Sequence, residues 1–271
     1  MELAVNWTLL NRLADIANQA GRAIMAVYET DFEHRLKADE SPVTEADLLA
    51  DQIICDALTR TFPNIPIVSE ERQHHHSPDA EEFFLVDPLD GTKEFVARNG
   101  EFTVNIALIQ AGVSVAGVVG VPVQGVLYLA GQGIGAFRRN VSGDTPLKVK
   151  PRRSGEPIRV VGSRSHASPE MQTWLDALHE PYEFTPAGSS LKFCRIAEGL
   201  ADVYPRLGPT CQWDTAAGQC VLEAAGGTMI FGDGPSNKKY KLNELLVNQP
   251  CFTAMAETNY LDLFNQCKKN L

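Results

Sequence analysis

Apolar residues recur every three to four positions from the N-terminus, at Leu3, Trp7, Leu10, Ala14, Ala17, Gly21, Ile24 and Tyr28. That spacing lays them along one stripe of a long first helix. Residues 30–43 break the pattern as a charged loop ending at Pro42. Thr44 then stands where a second helix would be capped, with Asp47 three positions on in the place of a capping-box acid. Leu48, Ile54 and Leu58 supply the buried side of this helix, and Phe62-Pro63 ends it.

Short strands are predicted next at 65–69 and 83–87, followed by a denser β region at 102–109, 113–121, 125–130 and 133–137. The turn residues between them favour antiparallel neighbours in one sheet. GQGIG at 131–135 lacks the Lys and following helix of a phosphate loop, so it reads as a hairpin turn. The Pro-, Gly- and Ser-rich stretch 140–157 is the candidate boundary between lobes 1–150 and 151–271, although 147–149 can pair as a strand. Beyond it come a strand at 158–161, helices at 169–178, 189–197 and 215–225, strands at 201–204, 228–230 and 245–247, and a terminal helix at 259–268. The sum is an α+β chain of stacked helix and sheet layers.

Composition narrows the function. A chain of 271 residues with 44% apolar and 21% charged side chains is a soluble globular protein of one or two domains. It holds no uninterrupted apolar run of the roughly 18 residues needed to span a membrane, and its polar start is no signal peptide. A formal charge of −10 argues against a nucleic-acid polymer as partner, yet not against a small phosphorylated substrate that arrives with cations. The six cysteines show no CxxC pair, which fits a reduced cytoplasmic protein. His74, His75 and His76 have no metal-ligand spacing and read as a solvated loop.

The chemistry lies in the acids. DPLDGT at 87–92 ends an apolar run with two carboxylates, a glycine and a hydroxyl. As a bare motif it is also an ordinary Pro-Gly turn. The glycine leaves its backbone amide free to approach a phosphate, with Thr92 completing an anion-binding nest. Glu70 and Glu71 end another strand, where alternation turns one inward; Glu70 is taken as the ligand and Glu71 as outward. Asp214, in QWDTAAG, stands as N-cap before a helix and has lone pairs to spare for a cation. Asp47 can be simply the partner of Thr44, or the group that holds the Thr92 hydroxyl so that it polarises a water. Oxygen ligands in this number suit Mg²⁺.

These residues resemble the inositol monophosphatase-like family of lithium-sensitive, magnesium-dependent phosphatases. The pattern is an upstream Asp, then EE, DPxDGT and WDxxA, met here at Asp47, Glu70-Glu71, 87–92 and 213–217. The resemblance implies an alternating αβαβα layered sandwich, of the inositol monophosphatase/fructose bisphosphatase type. It implies two or three Mg²⁺ held by Glu70, Asp87, Asp90, Asp214 and the carbonyl of Leu89. It further implies scissile-phosphate binding by the amides of Gly91 and Thr92, and water activation by Asp47 with Thr92. Lobe 1–150 would carry most metal ligands, and lobe 151–271 would carry Asp214 and the nucleotide side.

VVGSRSH at 160–166, GSSLKF at 188–193 and DVYPRL at 202–207 are similar to the bacterial 3′(2′),5′-bisphosphate nucleotidase branch. That likeness implies substrate contacts at His166, Gly188, Ser189, Lys192 and Arg206. It implies hydrolysis of adenosine 3′,5′-bisphosphate to AMP, with 3′-phosphoadenylyl sulfate as a further substrate and a place in sulfate assimilation. Relatives in bacteria are assigned to the inner face of the membrane, so a weak peripheral association stays open, as does the oligomeric state. Lys192 as an exposed helix residue and Arg206 as a loop surface charge are the plain alternatives. The rival functions are an inositol monophosphatase or sugar bisphosphatase, and a non-catalytic phospholigand-binding protein.

Overall fold

In the computed structural model, residues 2–36, 42–72, 80–163, 169–231, 240–242, 246–247 and 252–256 are described. The N-terminal stripe forms α1 (Trp7–Tyr28), capped by Asn6, whose side chain accepts from the Leu9 amide at 3.0 Å. Leu3 therefore lies outside the helix, its amide donating to Glu82 at 2.7 Å. Trp7, in the first turn, stays 41% exposed and packs its ring against Phe137. The charged loop contains a short hairpin, β1 (His34–Leu36) with β2 (Pro42–Thr44).

Helix α2 (Glu45–Thr61) begins with the expected capping box between Thr44 and Asp47. Ile54 and Leu58 are buried as predicted, whereas Leu48 is 55% exposed. Asp47, Ala50 and Asp51 turn inward beside them, because the acids find polar partners there.

Among the described residues, the first sheet has seven strands: β3 (Ile67–Ser69), β4 (Glu82–Asp90), β5 (Thr103–Gln110), β6 (Val113–Val121), β7 (Val126–Gly131), β8 (Gly135–Asn140) and β9 (Gly143–Pro146). They lie in chain order, β3 parallel to β4 and the rest antiparallel. The one-turn helix α3 (Thr92–Val96) interrupts them after β4. GQGIG is the β7–β8 turn. Strand β9 extends this sheet inside the predicted boundary, whereas 147–149 form no strand: Leu147 and Val149 bond singly to Ala136 and Ala225.

The second half supplies β10 (Ile158–Ser163), α4 (Pro169–Asp176), β11 (Tyr182–Ala187), α5 (Leu191–Ala197), β12 (Val203–Arg206) and β13 (Thr210–Cys211). After these come α6 (Ala216–Ala224), β14 (Thr228–Phe231), β15 (Leu246–Val247) and β16 (Phe252–Met255). Five of these strands form a mixed sheet in the order β11-β10-β12-β16-β14. The predicted terminal helix, 259–268, lies outside the described residues, as do His74, His75 and His76.

Alternation along the strands sorts the core into layers. Phe84, Val86, Ile106 and Val118 face α1 and α2. Phe83, Leu85, Ile109 and Val119 face the other way, onto α5 and α6, which also pack Val161 and Tyr204 of the second sheet. Ile158, Val160 and Met255 cover the outer face of that sheet with Trp174 of α4. The order is helices, sheet, helices, sheet, helix: the αβαβα sandwich.

Close approach of α6 to the first sheet sets where its N-terminus falls. A Cβ on Gly117 of β6 would stand 2.9 Å from the Ala217 carbonyl oxygen and from Cys220 Cβ. Ser114 reinforces the contact by donating to Ala216 O at 2.8 Å. Gly117→Ala should therefore push α6 outward and destabilise the protein by about 1–3 kcal/mol. Chemical denaturation checks this; wild-type stability would show that the helix is free to shift.

Candidate active site

The carboxyl ends of β3 and β4 open onto one cleft of about 260 Å³. Register between β4 and β5 slips between Asp87, opposite Asn105, and Asp90, opposite Thr103. Pro88, which has no amide for the ladder, sits inside that bulge. The bulge brings the Leu89 amide onto Asp87 Oδ1 at 3.1 Å. Glu70 follows β3, its amide on Val86 O at 3.1 Å, and its side chain hydrogen-bonds Asp87. Glu70, Asp87, Leu89, Asp90 and Asp214 all line the cleft; Glu71 does not.

Asp214 is not the helix cap that its position suggested. Thr215 occupies that place, without a side-chain bond, and Asp214 turns back. Its Oδ2 accepts from Thr210 Oγ1 at 2.7 Å and the Cys211 amide at 3.0 Å. Trp213 packs on the central core, as a large aromatic is expected to.

Asp47 contacts both Thr44 and Thr92. Oδ2 accepts from the Thr44 amide and hydroxyl at 2.7 and 2.6 Å, while Oδ1 accepts from Thr92 Oγ1 at 2.8 Å. Gly91 precedes α3 at φ +90°, and a Cβ there would come within 3.1 Å of Ser189 Oγ. Glycine satisfies both demands. The amides of Gly91 and Thr92 open this short helix, where no preceding helical carbonyl is available to them.

The second half closes the cleft. Ser189, held at φ +48°, donates to Asp90 O at 2.9 Å. Lys192 is buried, contrary to its reading as an exposed helix residue: its Nζ reaches Ser189 O at 2.6 Å and sits 5.2 Å from the centre of the Tyr204 ring. Arg206 lines the cleft half-buried, its guanidinium on the Gly208 and Pro209 carbonyls. Gly188 lies off the cleft wall with its amide on Glu101, and His166 falls outside the described residues.

Three residues escaped the sequence reading. Ser190 Oγ stands 3.0 Å from both Asp90 Oδ2 and Asp214 O, joining the two lobes. Asn105 donates to Ser190 at 2.9 Å and to Asp90 at 3.2 Å, with Thr103 alongside. Thr103 and Asn105 are two polar residues at period 2 in the apolar strand TVNIALIQ, a signal that they face something polar.

Burial and mutual repulsion govern the acids. Asp87 is raised well above the usual carboxylate range by burial, then by the charges of Glu70, Asp90 and Asp214. Asp90 is raised to about 6 by burial and Asp214, against the opposing pull of Lys192, Ser190 and Asn105. Asp214 is raised by burial and Glu70, while Cys211, Thr210 and Arg206 pull it down. Among the described residues, no group of three or more His, Cys, Asp and Glu side chains stands ready to hold a metal ion. Asp90 and Asp214 spend oxygens on protein donors instead. In kind, however, these carboxylates fit a hard divalent cation, whose charge would relieve their repulsion.

The chain is similar to known proteins in sequence and fold. A sequence model described as the inositol monophosphatase family matches residues 8–268. The 3′(2′),5′-bisphosphate nucleotidase CysQ of Escherichia coli K12 is 47% identical over 227 residues, 80% of this chain and 88% of that protein. Its Haemophilus influenzae counterpart is 33% identical over 95% of this chain and 96% of its own. The crystal structure of CysQ from Bacteroides thetaiotaomicron superimposes with a TM-score of 0.80 at 37% identity, over 92% of this chain and 98% of that one.

The crowding has a measurable cost. A carboxyl raised to about 6 on folding opposes the folded state increasingly as pH climbs from its unfolded value of about 4. In chelator-treated protein, Asp90→Asn should thus leave Tm unchanged near pH 4. At pH 7.5 it should raise Tm by several degrees, corresponding to roughly 2 kcal/mol. A thermal series across that range checks the sign; equal Tm values at pH 7.5 would show that burial and Asp214 do not raise the Asp90 carboxyl.

Proposed function

The chain belongs to the inositol monophosphatase family, and from that premise we propose that it is a Mg²⁺-dependent phosphomonoesterase removing the 3′-phosphate of adenosine 3′,5′-bisphosphate. The products are AMP and phosphate, and 3′-phosphoadenylyl sulfate is a second substrate. The chain is a hydrolase closely related to bacterial CysQ-type 3′(2′),5′-bisphosphate nucleotidases. That kinship supports a role in sulfate assimilation. The observation carrying the reading is the 2.8 Å bond from Thr92 to Asp47, made where Glu70, Asp87, Asp90 and Asp214 share a cleft with Lys192 and Arg206.

Asp47, braced by Thr44, accepts the Thr92 proton and turns the hydroxyl's lone pairs to the cleft. There they accept a hydrogen bond from the attacking water, whose proton moves toward Thr92 as its oxygen closes on phosphorus. The Gly91 and Thr92 amides hold the phosphate oxygens. Glu70, Asp87, Asp90, Asp214 and the Leu89 carbonyl would hold two or three Mg²⁺. Bound there, the ions would neutralise the phosphate and stabilise the entering and departing oxygens. The P–O3′ bond breaks as the new P–O bond forms, and the 3′-oxygen takes a proton from water.

Lys192 and Arg206 meet the 5′-phosphate, the arginine through its fork and the lysine as a point charge. A second cavity, about 460 Å³, shares Ser163, Tyr204 and Arg206 with the cleft and is lined by Met171, Leu207 and Pro209. Its apolar wall and size suit a nucleoside better than inositol. His166 joins the substrate side by resemblance alone. The location proposed is the cytoplasm: among the described residues no helix is long and apolar enough to cross a membrane, and Cys55, Cys194, Cys211 and Cys220 are free thiols.

Phosphate release from adenosine 3′,5′-bisphosphate should exceed that from inositol 1-phosphate and require Mg²⁺. Preference for the inositol ester would overturn the substrate. Thr92→Ala and Asp47→Asn should each lower kcat about 10²-fold or more. Lys192→Met should instead raise KM for the bisphosphate while sparing that for adenosine 3′-monophosphate.

A further inference from the structure

One carboxylate staples both ends of the turn that presents Glu70. Residues 69–72 fold tightly, the Arg72 amide reaching Ser69 O at 3.3 Å, with Glu70 and Glu71 between them. Asp51, buried on α2, accepts from Ser69 Oγ through Oδ1 and from Arg72 Nε through Oδ2, each at 2.6 Å. Asp51 lies one helical turn beyond Asp47, on the same face. Helix α2 therefore grips the cleft twice, at Thr92 through Asp47 and at the Glu70 turn through Asp51. Neither Asp51 nor Arg72 lines the cleft.

We propose that Asp51, Ser69 and Arg72 are positioning residues that fix Glu70 against the Asp47–Thr92 pair, and so set the protein's affinity for divalent cations. The inference rests on the reading of Glu70 as a Mg²⁺ ligand. A turn of two acids has every electrostatic reason to swing out to water, where adjacent charges are screened. Its two flanking side chains, tied to a buried acceptor on a rigid helix, hold it in. Supporting groups of this kind govern metal affinity without touching the metal.

The test is calorimetric titration with Mg²⁺ of Arg72→Ala, Arg72→Lys, Asp51→Asn and Glu70→Gln, with Tm measured for each. Arg72→Ala and Asp51→Asn should weaken Mg²⁺ binding about 10-fold, and Arg72→Lys should recover part of it. The Mg²⁺ concentration for half-maximal hydrolysis should rise in parallel, with kcat preserved at saturating Mg²⁺. Arg72 is half-exposed, so its variants probe the staple even if Asp51→Asn does not fold. Wild-type affinity in Arg72→Ala, beside weakened binding in Glu70→Gln, would overturn the positioning role, as would a lowered Tm with unchanged affinity. Unchanged binding in Glu70→Gln would sink the ligand reading beneath it.

Discussion

Carboxylates repel one another and resist leaving water, so a cleft that gathers Glu70, Asp87, Asp90 and Asp214 opposes its own formation. The protein answers with donors aimed at individual oxygens. Ser190 and Asn105 hold Asp90, Thr210 and the Cys211 amide hold Asp214, and Lys192 and Arg206 add positive charge nearby. Asn105, Ser190 and Lys192 come from segments anchored in apolar layers, so the cores on either side hold together what the charges would part.

The middle helix layer bears most of that duty. Helices α5 and α6 are packed between two sheets, and their neighbours come close enough to exclude larger residues. A Cβ on Gly218 would collide with the Phe193 ring of α5, as one on Gly117 would collide with α6. Small residues at these contacts lower α6 onto the first sheet and deliver Asp214 to the strand ends that carry Asp87 and Asp90. Site geometry follows from packing density.

Much of this was legible from local chemistry. The Thr44 capping box, strands β3 to β8 of the first sheet and the DPLDGT turn each depend on near neighbours, and local rules suffice for them. Strand β11 was not, because YEFTPA is an exposed edge strand with a proline and little alternation. The burial of Lys192 runs against the habit of its residue type and follows from α5 lying between sheets. Arg72 and Asp51, 21 positions apart, meet only because β3 lies beside α2. Asp214 defied its local signal because Thr210 and the Cys211 amide of β13 offered it donors.

The Lys192 ammonium has already surrendered its freedom to the Ser189 carbonyl and the Tyr204 ring. An unconstrained lysine loses close to 2 kcal/mol of rotamer entropy when an arriving anion freezes it. Here folding has absorbed that loss in advance. An anion bound there, as proposed, would meet preorganised positive charge, and the benefit would fall on residence time more than on encounter rate.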